Sequence, residues 1–150
     1  MSIEELKELP IENLADENCL LFMWATFPNL KEALCLIEDW GFKYVTVAFV
    51  WVKCDQDRNI RNDGLGFYTM SNAEIVLIGK KGKFVRANTG VRQIVYAPRR
   101  EHSHKPEEVY VRIIKLCGDV SRIELFARNR REGWDAWGNE VSKETQVLLK

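Results

Sequence analysis

Residues 104–141, HKPEEVYVRIIKLCGDVSRIELFARNRREGWDAWGNEV, decide the fold. They read as loop, helix, strand, loop and strand. Pro106 suits the first helical position, where its missing N–H costs nothing. Glu107 and Glu108 then sit on the positive end of the helix dipole. Val109, Ile113 and Leu116 recur at helical spacing, and Gly118 is the natural stop. Arg122 to Ala127 follows as a short buried strand. Arg128 to Trp134 is a polar loop at the carboxyl end of that strand, the edge at which open α/β sheets bind ligands. Asp135 to Glu140 closes the unit.

Working outward from there, Ser2-Ile3-Glu4-Glu5 is a capping box, which predicts a helix to about Leu9 that stops before Pro10. Cys19 to Ala25 is continuously apolar and reads as a strand buried on both faces, as in a parallel sheet. Leu30, Ala33, Leu34, Ile37 and Trp40 form the apolar stripe of a helix that Gly41 ends. Tyr44 to Val52, rich in valine and aromatics, is a long strand. Cys54 to Gly66 is a polar loop of a length that is usually functional or mobile. Ala73 to Gly79 is a strand, Lys80 to Lys83 a basic turn, and Arg92 to Ala97 a strand ended by Pro98. Helices alternate with strands at both ends and strands follow one another between. That order predicts one α/β domain over residues 1–150, with a Rossmann-like sheet and some antiparallel pairing.

The chain has 150 residues with 22 Lys and Arg against 22 Asp and Glu, so net charge exerts no global pull on nucleic acid. Acids dominate roughly the first forty residues and bases roughly residues 80 to 131, which allows one basic face. Cys19, Cys35, Cys54 and Cys117 are scattered, with no Cys-x-x-Cys pair and no histidine spacing for zinc. Cys19 and Cys35 lie in apolar runs and read as core thiols. A reduced, cytoplasmic compartment follows, and no signal peptide, lipidation motif or membrane-length apolar run is visible.

Three ordered motifs, His104-Lys105-Pro106-Glu107-Glu108, Glu124-Leu125-Phe126-Ala127-Arg128 and Trp137-Gly138-Asn139-Glu140, resemble the MT-A70 methyltransferases. These are the eukaryotic mRNA adenine-N6 methyltransferases and their phage and bacterial relatives that modify DNA adenine. The resemblance covers nearly the whole chain. It implies a methyltransferase sheet in circularly permuted, beta-class order, with the catalytic strand first and the cofactor strand, here Arg122 to Ala127, late. It implies S-adenosylmethionine as cofactor. Lys105 then contacts its methionine end, Phe126 and Arg128 line its pocket, and Asn139 and Glu140 touch ribose and base.

Read without the family, Lys105 is a lysine at a helix start, where backbone N–H groups favour anions. Phe126 reads as core, and Asn139-Glu140 as a strand-end turn whose amide and carboxylate suit hydroxyls and an adenine edge. In the family the loops after the long strand flank the acceptor base. Lys53, Arg58, Arg61, Tyr68, Asn72 and Glu74, with the Lys80–Lys83 turn, are therefore the nucleic-acid candidates. Cations suit phosphates, and an aromatic suits a base.

One family part is missing. The Asp-Pro-Pro-Trp catalytic loop does not occur among these residues, so no catalytic residue is assigned. In the family that loop precedes the segment matching Ser2 to Leu6. The chain therefore looks like a member that starts late, with a sheet incomplete at its N-terminus. The absent strand is central in the family, between those matching Cys19–Ala25 and Arg122–Ala127. These two strands are expected to pair with each other, expose edges, or borrow a strand from another copy or a partner chain, with oligomerisation or poor solubility as the result. The expected activity is methyl transfer to adenine N6, in DNA rather than RNA because the chain is compact. The alternative is a catalytically inactive fragment or pseudo-enzyme that binds nucleic acid or a partner chain. A small-molecule methyltransferase is a third reading, which the basic loops oppose mildly.

Overall fold

The computed structural model describes residues 1–60, 64–101, 104–143 and 147. The chain packs as two compact units, Met1–Gly118 and Asp119–Lys150.

The first unit opens with helix α1 (Ile3–Lys7). The Ser2 hydroxyl accepts from the Glu5 N–H, and the Glu5 carboxylate accepts from the Ser2 N–H, so the capping box forms. Strand β1 (Cys19–Ala25), helix α2 (Leu30–Asp39), strands β2 (Lys43–Cys54), β3 (Ala73–Lys81) and β4 (Ile94–Pro98), and helix α3 (Glu107–Cys117) follow. The sheet order is β1-β3-β2-β4. β1 and β2 run antiparallel to β3, and β4 runs parallel to β2. This is the mixed α/β sheet the sequence predicts.

β1 differs from expectation. It lies at the sheet edge, pairs antiparallel, and six of its seven residues are only partly buried. An apolar run reports that both faces meet apolar atoms; it does not report whether both edges are hydrogen-bonded. Among the described residues β3 is the only strand paired with β1, so its outer edge is open.

Side-chain alternation assigns the two faces. On one face Phe49, Val76 and Val95 are fully buried with Val109 of α3, and Phe22, Trp24 and Ile113 pack around them. Burying four such side chains contributes about 6–12 kcal/mol gross. On the other face Gly79 lies so close to Ile37 of α2 that an added Cβ would stand 3.0 Å from the Ile37 Cγ2. α2 buries Ala33, Leu36 and Ile37. That phase turns Cys35 outward, so Cys35 is exposed, Cys19 is half-buried, and the buried thiols are Cys54 and Cys117.

α3 begins at Glu107 rather than at Pro106, which takes the N-cap position in extended conformation. Gly118 ends the helix with φ 79°. Arg112 ties α3 to the start of β4. Its Nη1 donates to the carbonyls of Arg92 and Ile94, each at 2.8 Å, and its Nη2 meets the Glu108 carboxylate one turn back.

The second unit holds β5 (Ile123–Leu125) and β6 (Asp135–Trp137), which pair in parallel. Its buried core is Ala127, Ala136 and Val141. The strand expected over Arg122 to Ala127 is shorter because Phe126 takes φ 59°, which leaves the extended region. β5 has β6 as its only strand partner among the described residues. No helix among the described residues is long and apolar enough to cross a membrane.

Candidate functional site

The charged cluster of the first unit is built by strand pairing. β1 and β2 both pair with β3, which places Trp24 opposite Val76 and Trp51 opposite Glu74. Val76 and Glu74 are two residues apart, so Trp24, Trp51 and Glu74 share one face. The two indoles meet edge to face, with ring centroids 5.9 Å apart. The Trp51 Nε1–H donates to the Ala97 carbonyl at 2.9 Å, which keeps the buried indole satisfied.

Two lysines close over this floor. Lys53, near the end of β2, places Nζ 3.2 Å from the Glu74 Oε1 and 5.2 Å from the Trp51 ring centroid. Lys105 precedes Pro106, and a residue before proline is held extended, outside the helix. Its Nζ lies 2.5 Å from the Glu74 Oε2 and 4.9 Å from the Trp24 ring centroid. The Glu74 side chain retains only 16% of its exposure. Burial pushes its carboxyl up, but the hydrogen bond and charge of Lys105, then those of Lys53, outweigh burial and hold it below the usual carboxylate range. Two cations share one carboxylate, so the cluster keeps a surplus positive charge over an aromatic surface. That combination suits an anionic group and a flat ring.

In the second unit, Phe126 follows β5. The residue is 46% exposed, and its ring meets the Trp137 ring edge to face at 5.2 Å. It is therefore an exposed apolar shelf and not the core residue that its strand position suggests. The exposed pair Asn139-Glu140 follows the buried Gly138. An added Cβ at Gly138 would stand 2.6 Å from the Ala127 carbonyl oxygen. Only glycine allows the turn this close to the backbone of Phe126 and Ala127, so the shelf and the polar pair are neighbours. Arg128 is exposed on the same segment. An apolar shelf beside an amide and a carboxylate fits a nucleoside, and the surplus charge at Lys105 fits a carboxylate. Each unit by itself offers groups that suit a part of S-adenosylmethionine, Lys105 in the first and Phe126, Arg128, Asn139 and Glu140 in the second.

The polynucleotide candidates divide. Lys53 and Glu74 meet in the cluster, and the Asn72 carbonyl accepts the Lys53 N–H at 2.9 Å. Arg58 is exposed on a turn that the Asp55 carboxylate braces by accepting from Asp57 and Asn59. Tyr68 is fully exposed on the loop before β3. Arg61 lies outside the described residues. The Lys80–Lys83 turn is a correction. β3 carries Glu74 near one end and Lys80 near the other, about 20 Å away at ~3.3 Å per residue. It cannot flank the same base; the Asn18 side chain instead holds it by accepting from the Lys83 N–H at 2.6 Å. Trp24 and Trp51 are the residues that sequence reasoning missed, because each sits in an apolar strand where an indole reads as packing.

A family profile described as MT-A70 matches residues 1–140. The Type II methyltransferase M.MunI of a Mycoplasma species is 42% identical over 143 residues, which cover 94% of this chain and 58% of that protein. The fruit-fly N(6)-adenosine-methyltransferase MT-A70-like protein is 32% identical, over 94% of this chain and 24% of its own length. The human N(6)-adenosine-methyltransferase catalytic subunit METTL3 is also 32% identical, over 92% of this chain and 24% of its own. The chain thus spans a little over half of the bacterial relative and about a quarter of the two animal proteins.

Proposed function

This chain belongs to the MT-A70 family, and from that premise we propose that it takes part in methyl transfer from S-adenosylmethionine to N6 of adenine in DNA. The observation that carries the reading is the Lys53–Glu74–Lys105 cluster over Trp24 and Trp51. Bound S-adenosylmethionine supplies the methyl group on a sulfonium centre. Lys105 meets the methionine carboxylate, and Glu74 holds the lysine in place. Phe126 and Arg128 line the nucleoside, and Asn139 and Glu140 take the ribose hydroxyls and the adenine edge. The adenine amine is a poor nucleophile because its lone pair is delocalised into the ring. Catalysis is therefore chiefly a matter of position.

Lys53, Arg58, Arg61, Tyr68, Asn72 and Glu74 are the residues proposed for the polynucleotide. DNA is favoured over RNA by the higher identity to the bacterial Type II enzyme. A second reading is a chain that binds cofactor or nucleic acid without catalysing. One observation favours it. The four prolines, Pro10, Pro28, Pro98 and Pro106, follow Leu9, Phe27, Ala97 and Lys105, so these residues contain no Asp-Pro-Pro-Trp.

Labelled methyl transfer to unmethylated DNA and RNA, with calorimetric titration of S-adenosylmethionine, tests both readings. The first expects binding and transfer to DNA. Binding without transfer supports the second, and absence of both overturns the assignment.

A further inference from the structure

Residues 64–72 form a finger that the charged cluster does not use. The Ser71 N–H donates to the Gly64 carbonyl at 3.0 Å, and the Thr69 N–H to the Phe67 carbonyl at 2.8 Å. A Cβ on Gly64 would collide with the Ser71 carbonyl, and one on Gly66 with the Thr69 carbonyl. The two glycines thus let the arms of the finger approach more closely than any side chain permits. The side chains between them have nowhere to go but outward. Leu65 is 91% exposed, Phe67 78%, Tyr68 107% and Met70 52%. Tyr68 also takes φ 66°, a left-handed conformation that is costly for a non-glycine residue. Burial does not offset that cost, because the ring is wholly in solvent.

From Gly64 to Ala73 the chain carries no charge, while Lys53 and Arg58 stand before it. The finger is rooted at the site: Asn72 accepts from the Lys53 N–H, and Glu74 follows Ala73. A cleft of about 560 Å³ runs from Phe27 and Pro28, past Phe67 and Met70, to Asn72 and Ala73.

We propose that this finger is a wedge. It enters the base stack of duplex DNA and holds open the gap left by an extruded adenine. The inference rests on the adenine-methyltransferase reading and adds the state of the substrate. N6 of a paired adenine is out of reach of a protein-bound methyl donor, so the base must leave the stack, and unpairing and unstacking it costs free energy. Phe, Leu and Met side chains slid between base steps offset that cost, while neighbouring cations hold the phosphates. Single-stranded RNA needs no wedge, and the deep, narrow major groove of an RNA duplex admits none.

The test uses duplexes selected by binding from a random-sequence pool, remade with 2-aminopurine at each adenine in turn, since this base fluoresces when it is unstacked. At saturating protein the wild-type chain is expected to raise fluorescence severalfold at one position. The double variant Leu65→Ala, Phe67→Ala loses that rise while binding the single strand of the same sequence within about twofold, because the phosphate-binding cations are untouched, and Tyr68→Phe keeps it. All three share one thermal midpoint, because the altered side chains are in solvent. A full rise in the double variant, or none in the wild type, overturns the wedge. So does a wild-type chain that self-associates through this finger while the double variant stays monomeric with the rise intact. Calorimetric binding of S-adenosylmethionine separates the two levels: binding without the rise sinks the wedge alone, and loss of both sinks the methyltransferase reading with it.

Discussion

In Met1–Gly118 the polar groups of the site stand on a sheet with a helix packed on each face, and one carboxylate is shared by two lysines. In Asp119–Lys150 the polar groups stand beside a two-stranded sheet whose buried core is two alanines and a valine. The first arrangement is electrostatic: remove Glu74 and two cations face each other over indole rings. The second is steric: what matters is that Gly138 has no side chain, and the polar tips are in water. Loss of charge should therefore be felt in the first unit and gain of volume in the second.

The largest effect is expected from Glu74→Ala. It strands Lys53 and Lys105 half-buried without their counter-charge and costs about 3 kcal/mol, near the lower end for a broken buried pair because some solvent reaches the group. The urea midpoint of unfolding should fall, and methyl transfer should be lost. Glu74→Gln, which keeps the shape and one acceptor, should cost about half as much. An Ala variant with an unchanged midpoint would break the contrast at its first term.

Gly138→Ala is next, at about 1–3 kcal/mol of overpacking against the Ala127 carbonyl. The damage should stay local. Amide hydrogen exchange should speed up at Ala127 and Val147, which donate to Trp137 and Ala136, while β3 amides keep their protection. Faster exchange throughout β3 would show that the steric unit is no separate unit.

Phe126→Ala removes an exposed ring, so stability should move by less than ~0.5 kcal/mol. Affinity for S-adenosylmethionine should fall about tenfold by calorimetry, as expected for ~1.4 kcal/mol of lost contact. Lys105→Ala and Asn139→Ala should each weaken it by about 1–3 kcal/mol. Equal affinity in the Phe126 variant would leave the second unit without a ligand role.

The smallest effect sharpens the contrast through pH. Glu74 titrates below the ordinary carboxylate range when folded. Its contribution is therefore complete above the unfolded value and lost as pH falls through the folded one. The stability gap between wild type and Glu74→Gln should stay level from neutral pH down to the ordinary carboxylate range and close only below it. A gap that closes above that range would mean the lysines do not hold the charge.

Local signals were legible one residue at a time. The capping box at Ser2 and Glu5, the glycine stop at Gly118 and the strand from Ala73 all depend on neighbours within a turn or a pleat. The three motifs that point to the family lie in short segments too. The stripe of α2 was legible except for its phase, since Leu34 and Leu36 are equally apolar and only packing chose between them.

By itself, then, the order of residues determined the elements, their mixed α/β class, the family, and Lys105 as the cation at the head of α3. The tertiary structure alone decided that Trp24 and Trp51 lie under that cation, that the Lys80–Lys83 turn lies a strand's length from Glu74, and that Phe126 faces solvent. The reason is physical. Propensity and periodicity act over a few residues, whereas β1, β2 and α3 meet at Glu74 only because hydrogen bonds between distant strands fix their register and side-chain alternation then chooses the face.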